Sequence, residues 1–409
     1  MGFLSERSKY TKNDIEALDA VSEKLRKAGR KITSLNRGDP ARYFPTPQYV
    51  IDAYIDALNE RKTFYSRAQG SEELQEAVCG RYKRMHGLHV QPADVICTAG
   101  ITEGLSFLNS AVIDPGETAI IFKPYFTLYT SYLIRNHGVP ILQSYDENDA
   151  WNVHIDKLRR SLVSLKKSGK IKHVKYMLIT NPNNPTGTVL RKNVLEEIVS
   201  LANEYGVFLI SDEIYDELVF NGAKFTSIGE LAKGIPHMLL NGISKSYDAT
   251  GFRIGFMILP EEDRNSVLLK KKLGDYARAR ISLNTPAEYA AATAMNNAKE
   301  HKKAVGKMVE EIEKRVNFST KLLGENPYLS TVRPNGAFYV FPRIDLSQLR
   351  FKDDVHFVTS LLEKEGIQIV WGSGFGAPSH FRIVSLAEKE VLEYAINKIN
   401  DFCRKNAKG

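Results

Sequence analysis

Short apolar runs alternate with helical patterns along most of this chain, and this alternation restricts the fold more than any other feature. The runs are Val95–Thr98, Ala119–Phe122, Tyr176–Thr180, Val207–Ser211, Met238–Leu240 and Ile254–Leu259. Continuous β-branched and aliphatic runs indicate strands that are buried on both faces. Strands that alternate with helices predict a mostly parallel α/β sheet.

The pattern changes after about residue 290. A helical pattern covers Ala291–Leu323, and strand-like pieces follow at Gly336–Phe341, Ile367–Val370 and Phe381–Val384. Before the first run, an amphipathic helix is predicted over Asp14–Lys27. We therefore predict a large domain over residues 51–290 and a smaller α+β domain over 291–409, with residues 1–50 forming an arm and part of the small domain.

Charge and cysteine content narrow the class of protein. Lys and Arg number 56 against 48 Asp and Glu, which gives a net charge of +8. No basic block is interleaved with aromatic residues, so solvated helix faces are favoured over a nucleic-acid surface. Met1–Tyr10 lacks a signal-peptide core and no apolar run reaches about 18 residues, so no membrane span is expected. The three cysteines have no metal-ligand spacing, which favours a reducing, cytoplasmic setting and no metal.

Polar segments follow several of the runs directly, at the sheet edge where α/β proteins bind ligands. Lys245 comes just after one run, and Arg253 follows eight residues later. A surface lysine at a turn would explain Lys245 alone. A lysine that forms a Schiff base, with an arginine returning toward an anion, explains both residues.

Two further segments follow strands. Asp212 and Tyr215 come after Val207–Ser211, and Asp212 could cap a helix or hold a protonated ring nitrogen. The segment 181–187, Asn-Pro-Asn-Asn-Pro-Thr-Gly, is a turn that could fix the amide of Asn184.

The segment 98–104 joins a strand to a predicted helix through small residues, and the helix N-terminus could bind a phosphate. It has neither the Rossmann glycine pattern nor a Walker lysine.

Together these segments resemble class I/II aminotransferases, the fold-type I pyridoxal-phosphate enzymes. The matching motifs are Asn-Pro-Asn-Asn-Pro-Thr-Gly, Ser-Asp-Glu-Ile-Tyr, Asn-Gly-Ile-Ser-Lys and Thr-Gly-Phe-Arg-Ile-Gly, followed by Pro-Asn-Gly-Ala-Phe-Tyr and Phe-Arg-Ile near the C-terminus. They occur in the family's order over about residues 33–400. The resemblance implies a seven-stranded type of sheet sandwiched by helices, with a smaller α+β domain.

The resemblance also implies the cofactor, pyridoxal 5′-phosphate, and the residues that hold it. Lys245 would carry it as a Schiff base and move the proton, while Asp212 would pair with the pyridine nitrogen. The residues that would contact the 3′-oxygen, the phosphate and the ring face are Tyr215, Asn184, Gly100, Ile101, Thr102, Arg253 and Phe126, with Tyr125 as the alternative to Phe126.

The substrate side is implied in the same way. Arg382 would bind the α-carboxylate, helped by Gly38 and Asn184. Tyr65 would reach the cofactor phosphate of a neighbouring subunit, so a homodimer with shared sites is expected. The partners are then an amino acid and a 2-oxo acid, without nucleic acid or membrane.

Two departures from the family pattern bear on specificity. Gly242 stands where the family often has a phosphate-binding serine, so more of the anchoring falls on Thr102 and Arg253. Thr102 stands where one aspartate aminotransferase branch has a lysine, which argues against simple aspartate specificity. Segments 36–40, 102–105 and 277–286 resemble the alanine aminotransferase-like branch. Candidates for binding a distal carboxylate are Arg37, Arg278 and Arg280.

The favoured function is a ping-pong aminotransferase that moves the amino group of alanine, or of a broader set of amino acids, to 2-oxoglutarate. An aspartate or aromatic aminotransferase and a pyridoxal-phosphate-dependent C–S lyase remain alternatives. A regulator that senses the cofactor without catalysis would need a DNA-binding domain ahead of the fold, and only about 32 residues precede the match.

Overall fold

The architecture was analysed in a computed structural model that describes residues 3–4, 8, 14–261 and 263–408. The expectation about Met1–Tyr10 falls mostly outside these residues. Within them the chain forms fifteen strands: β1 Thr33–Ser34, β2 Val95–Thr98, β3 Thr118–Lys123, β4 Val139–Asp146, β5 Asn152–Val153, β6 Val174–Thr180, β7 Phe208–Asp212, β8 His237–Gly242, β9 Gly255–Ile258, β10 Leu329–Ser330, β11 Tyr339–Val340, β12 Arg343–Ile344, β13 Ile367–Gln368, β14 Val370–Trp371 and β15 Phe381–Val384.

Thirteen α-helices are formed by the same described part of the chain. They are α1 Asp19–Lys27, α2 Gln48–Asn59, α3 Glu72–His86, α4 Ile101–Val112, α5 Leu128–Arg135, α6 Ile155–Lys167, α7 Lys192–Tyr205, α8 Ile228–Leu231, α9 Arg264–Arg280, α10 Thr285–Asn296, α11 Ala298–Gly324, α12 Asp354–Glu365 and α13 Lys389–Lys405.

The main sheet has eight strands in the order β2-β9-β8-β7-β6-β3-β4-β5. Strands β4, β3, β6, β7 and β8 are parallel neighbours, whereas β9 and β5 pair antiparallel. This confirms the α/β class, and the two-residue β5 adds one strand at the edge of the expected seven. Buried apolar clusters cover both faces of the sheet, which explains the continuous apolar runs.

A second core forms around α11, α12 and α13 with β11 and β15. Leu18 and Leu35 belong to this core although they lie near the start of the chain. Strand β1 pairs in parallel with β13, so that Thr33 lies opposite Ile367. The N-terminal segment therefore packs with the C-terminal part of the chain.

Two predicted helices differ from the observed ones. The helix expected over Asp14–Lys27 begins at Asp19, because the carbonyl of Ile15 accepts a hydrogen bond from the Asn36 side chain (3.0 Å) rather than from the backbone of Asp19. The pattern over Ala291–Leu323 spans two helices, α10 and α11. They separate at Asn297, whose φ of −84° and ψ of 59° are not helical.

Candidate active site

The carboxyl ends of β2, β6, β7 and β8 open on a cavity of about 330 Å³. Because parallel strands end at the same edge of a sheet, segments far apart in sequence meet there. The sequence-predicted site residues that line this cavity are Gly38, Gly100, Ile101, Thr102, Phe126, Asn184, Asp212, Tyr215, Lys245, Arg253 and Arg382.

Lys245 follows β8 and reaches into the cavity, where its Nζ donates a hydrogen bond to the carbonyl of Gly38 (2.7 Å). Burial lowers the pKa of its ammonium group to about 8; Asp39 opposes the shift, and Arg253 and Arg382 add to it. A lysine with this pKa is about one-tenth neutral near pH 7, and this neutral form can act as a base.

Asp212 ends β7 and is buried. The Tyr129 hydroxyl donates to its Oδ2 (2.6 Å), and the Ile214 backbone N–H donates to its Oδ1 (3.2 Å). Burial raises the pKa of this carboxyl to about 6, although the bonds from Tyr129 and Ile214 and the charge of Lys245 oppose the shift. Asp212 is therefore placed to pair with a buried cation, which would favour its charged form.

A candidate anion site lies at the N-terminus of α4. The guanidinium of Arg253 lies beside it, 3.3 Å from the Ala99 carbonyl and 3.5 Å from the Thr102 hydroxyl. Gly100 has a φ of +74°, and a Cβ there would lie 2.3 Å from the Arg253 side chain. The helix terminus, the threonine hydroxyl and the arginine together suit a phosphate group.

Gly242 has a packing reason for lacking a side chain. A Cβ at this position would lie 2.7 Å from the Ile254 carbonyl oxygen and 2.9 Å from the Gly255 backbone. The close approach of the backbone around Gly255 to the end of β8 therefore leaves no room for a serine side chain at this position.

Arg382 lies on β15 with only 1% of its surface exposed. It donates to Asn184 Oδ1 (2.9 Å) and to the Asn36 carbonyl (2.5 Å), and its guanidinium lies between the rings of Tyr339 and Phe375 (4.7 and 4.8 Å). Its Nε has no hydrogen-bond partner among the described residues. A charged, buried arginine with a donor to spare suits a carboxylate ligand.

Phe126, rather than Tyr125, lines the cavity. The backbone N–H of Tyr125 instead donates to the Phe375 carbonyl (3.0 Å). Tyr65 is 80% exposed and does not line the cavity of its own chain; it borders a surface hollow with Tyr54 and Ile281.

The three candidate distal-carboxylate arginines have different surroundings. Arg37 lines the cavity. Arg278 is exposed and pairs with Asp275, and Arg280 pairs with Glu103 (2.8 Å) while donating to two backbone carbonyls. Neither Arg278 nor Arg280 lines the cavity of its own chain.

Two tyrosines in the cavity were missed by the sequence analysis. Tyr129 holds Asp212, and Tyr339 shares a hydrogen bond with the Tyr215 hydroxyl (2.7 Å). Tyr339 ends the Pro-Asn-Gly-Ala-Phe-Tyr motif, so its place in the cavity could have been predicted from that motif. Tyr129 lies in the first turn of α5, three residues after Phe126, so its position could be inferred only with α5 in place.

A buried ionic network lies beneath the segment that carries Lys245. Arg81 pairs with Asp216 (2.7 Å) and Glu217 (2.9 Å), and Glu217 binds the imidazole of His301 (2.9 Å). His301 stacks on the ring of Tyr247, two residues after Lys245, with centroids 3.8 Å apart. The network thus connects the residues that follow Tyr215 in the chain to those that follow Lys245.

The described residues include no helix long and apolar enough to cross a membrane. They also include no cluster of three His, Cys, Asp or Glu side chains that could hold a metal ion.

Comparison with known proteins gives concordant matches. Residues 30–399 match the family model described as aminotransferase class I and II. The chain is 32% identical to an aspartate aminotransferase of Geobacillus stearothermophilus, covering 96% of both chains, and 31% identical to a glutamate-pyruvate aminotransferase of Haemophilus influenzae, covering 93% of this chain and 92% of the other. An alanine aminotransferase structure from Pyrococcus furiosus superimposes with a TM-score of 0.92 at 33% identity, over 98% of this chain and 100% of that one.

Proposed function

The chain belongs to the class I and II aminotransferases and is a transaminase, and we propose that it transfers the amino group of L-alanine to 2-oxoglutarate with pyridoxal 5′-phosphate bound at Lys245. The observation that carries this proposal is the meeting of a half-buried lysine, a buried carboxylate and a buried arginine in one cavity: Lys245, Asp212 and Arg382.

The chemical character of the lining residues fits this cofactor. Asp212 would pair with the ring nitrogen, and Tyr215 and Asn184 would contact the 3′-oxygen. The α4 N-terminus with Thr102 and Arg253 would hold the phosphate. Phe126 would lie against the ring. When bound, the cofactor supplies an electron-withdrawing ring that stabilises negative charge at Cα of the amino acid.

The protein's own residues bind the amino acid and move its proton. Arg382 would bind the α-carboxylate in a bidentate manner, which orients Cα toward Lys245. Lys245 would accept the Cα proton, because its pKa of about 8 leaves part of it neutral near pH 7. The two half-reactions share this site, so the first product leaves before the acceptor binds.

Support for the choice of substrates comes from the cavity and from the relatives. Ile15 lines the cavity, which suits the short apolar side chain of alanine. Relatives named alanine or glutamate-pyruvate aminotransferase are among the matches, but so are aspartate aminotransferases. Because Arg37 offers a cation for a second carboxylate, aspartate is the second candidate donor.

A homodimer with shared sites is part of the proposal. Phe64 (54%), Tyr65 (80%) and Ile281 (56%) are apolar or aromatic side chains with large exposed fractions. A second copy of the chain would cover such a surface. Tyr65 would then reach the phosphate bound by the partner subunit. The free cysteines, Cys79, Cys97 and Cys403, support a cytoplasmic location.

An absorbance spectrum tests the proposal directly. The purified protein with added pyridoxal phosphate should show a band near ~400–430 nm that L-alanine alone converts to one near ~330 nm, and 2-oxoglutarate should restore the first band. No cofactor band after reconstitution would refute cofactor binding. A band that responds to L-aspartate but not to L-alanine would refute the choice of donor.

A further inference from the structure

Arg280, the last residue of α9, joins three segments that are far apart in the sequence. Its Nη1 donates to Glu103 Oε2 (2.8 Å) and to the Cys97 carbonyl (3.3 Å), and its Nη2 donates to the Ala68 carbonyl at short range. The side chains of Arg280 and Glu103 are mostly buried, so solvent replaces these bonds poorly. A guanidinium engaged in this way holds segments of the chain in place.

The first of these segments is the turn that precedes α4, at the candidate anion site. Glu103 Oε2 also accepts the backbone N–H of Ala99 (2.7 Å), and the Ala99 carbonyl accepts a bond from Arg253 (3.3 Å). Gly100 follows in the left-handed region, with a φ of +74°. Arg280, acting through Glu103, and Arg253 therefore hold the two polar backbone groups of Ala99. The direction of the N–H groups at the start of α4 depends on this turn.

A second segment is the loop of residues 64–71, which contains Tyr65. Besides the bond from Arg280, this loop receives one from the Cys97 N–H to the Gln69 carbonyl (2.8 Å). The side chain of Tyr65 is 80% exposed, so its own packing contributes little to the anchoring of the loop. The position of Tyr65 therefore depends on the backbone contacts of the loop.

Resting on the proposed function and its homodimer, we propose that Arg280 is a positioning residue for two active sites at once. Through Glu103 it holds the phosphate-binding turn of its own subunit. Through the Ala68 carbonyl it holds the loop whose Tyr65 reaches the phosphate bound by the partner subunit. One side chain thus affects phosphate binding at both sites of the dimer.

Pyridoxal, which lacks the phosphate, separates this role from a general loss of structure. The quantity measured is the ratio of the dissociation constant of pyridoxal to that of pyridoxal phosphate, each followed by the band near ~400–430 nm after addition to cofactor-free protein. Arg280→Met should raise the dissociation constant of pyridoxal phosphate about 10–50-fold, because the phosphate contacts of both sites are disturbed. The dissociation constant of pyridoxal should change by less than about twofold, since it makes none of these contacts.

Arg315→Met is the matched control. Arg315 is also buried and pairs with Glu311 and Glu388 (3.0 Å each). Like Arg280 it donates to a backbone carbonyl, that of Leu386, but it lies in the C-terminal part of the chain. Its loss should lower the Tm at least as much as Arg280→Met and leave the ratio of dissociation constants within about twofold.

Hybrid dimers separate the effects on the two sites. In each hybrid one subunit carries Lys245→Ala, so that only the other subunit forms the band. Arg280→Met in the band-forming subunit disturbs its own turn and should weaken pyridoxal phosphate about 5–10-fold relative to a hybrid with unaltered Arg280. Arg280→Met in the Lys245→Ala subunit disturbs only the Tyr65 loop that faces the band-forming site, and should weaken binding there about 3–5-fold.

Hydrogen exchange on the cofactor-free protein tests the same contacts without a ligand. The amides of Ala99 and of residues 64–71 should exchange faster in Arg280→Met than in the wild type, because they lose a common support. Unchanged exchange in either segment would overturn the proposal.

Three other results would also overturn it: an unchanged ratio of dissociation constants in Arg280→Met, a second hybrid that binds as tightly as the reference hybrid, or a wild type that is monomeric. A wild type that binds no pyridoxal phosphate would refute the proposed function instead. The exchange measurement would then still decide whether Arg280 holds both segments.

Discussion

Removing the Tyr129 hydroxyl is expected to raise the pKa of Asp212 and move the acid limb of the activity profile to higher pH. The hydroxyl donates to Asp212 Oδ2 at 2.6 Å and itself accepts from the Thr180 hydroxyl (2.8 Å). All three groups are buried. Tyr129→Phe therefore removes a donor to a carboxylate that water cannot readily replace.

The size of the shift follows from the strength of that bond. A hydrogen bond to a charged acceptor contributes about 1.5–3 kcal/mol, and one pKa unit corresponds to about 1.36 kcal/mol. The substitution should thus raise the pKa of Asp212 by roughly 1–2 units above its wild-type value of about 6. A bound cationic ring would lower the pKa in both proteins, so the difference between them is the quantity predicted.

The direction in which the acid limb moves depends on which protonation form of Asp212 supports activity. In the proposed function the carboxylate form of Asp212 pairs with the ring nitrogen. Activity should then be lost as the pH falls through the pKa of Asp212, and a higher pKa should move that loss to higher pH. The assay is kcat/KM for the L-alanine half-reaction against pH. Tyr176→Phe, which removes a buried hydroxyl bonded to Asn109 (2.8 Å), is the control and should leave the acid limb in place. A Tyr129→Phe limb within ~0.3 units of wild type would refute the reasoning.

Three further substitutions test packing and charge. Arg81→Met should lower the free energy of unfolding by about 3–5 kcal/mol in urea titrations, because two buried carboxylates lose their cation; a loss below ~1 kcal/mol would contradict this. Gly242→Ser should lower stability by about 1–3 kcal/mol in calorimetry, since the Cβ has no room beside β9, and an unchanged Tm would show that β9 can shift. Burial opposes ionisation of Glu147, but hydrogen bonds and charges from His380 and Arg343 hold the pKa of its carboxyl at about 2. The ionised carboxylate therefore stabilises the fold above pH 4.5, and this contribution is lost as the pH falls toward 2. Glu147→Gln should therefore destabilise the protein at pH 7 and much less near pH 2, and an equal effect at both would exclude this linkage.

The sequence predicted six of the eight strands of the main sheet, because each of the six contains an uninterrupted apolar run. Strands β4 and β5 were not predicted, since polar residues interrupt β4 and β5 has only two residues. The bounds of Val95–Thr98 and Phe381–Val384 agree with the structure. The split between α10 and α11 was not predicted, because the apolar periodicity continues through Asn297 while its backbone does not.

The residues around the cavity were predictable where they follow strand ends or belong to a motif. Lys245 and Asp212 are of this kind. The bond from Tyr129 to Asp212 joins helix α5 to strand β7, and the ion pair of Arg280 with Glu103 joins helices α9 and α4. Both contacts depend on how separate elements pack, which the local pattern of one sequence does not show. Arg37 could be distinguished from the other arginines only once the N-terminal segment was seen to fold against β13.

The pairing of β1 with β13 has a consequence during synthesis on the ribosome. Ser34 emerges 334 residues before its partner Gln368. The eight strands of the main sheet are all translated by residue 258. Because domains form in the order in which they emerge, a nascent chain can complete the surroundings of Lys245 while Gly38 still lacks its final support and Arg382 has yet to be made. The half of the site proposed to hold the cofactor is thus assembled before the half proposed to hold the substrate.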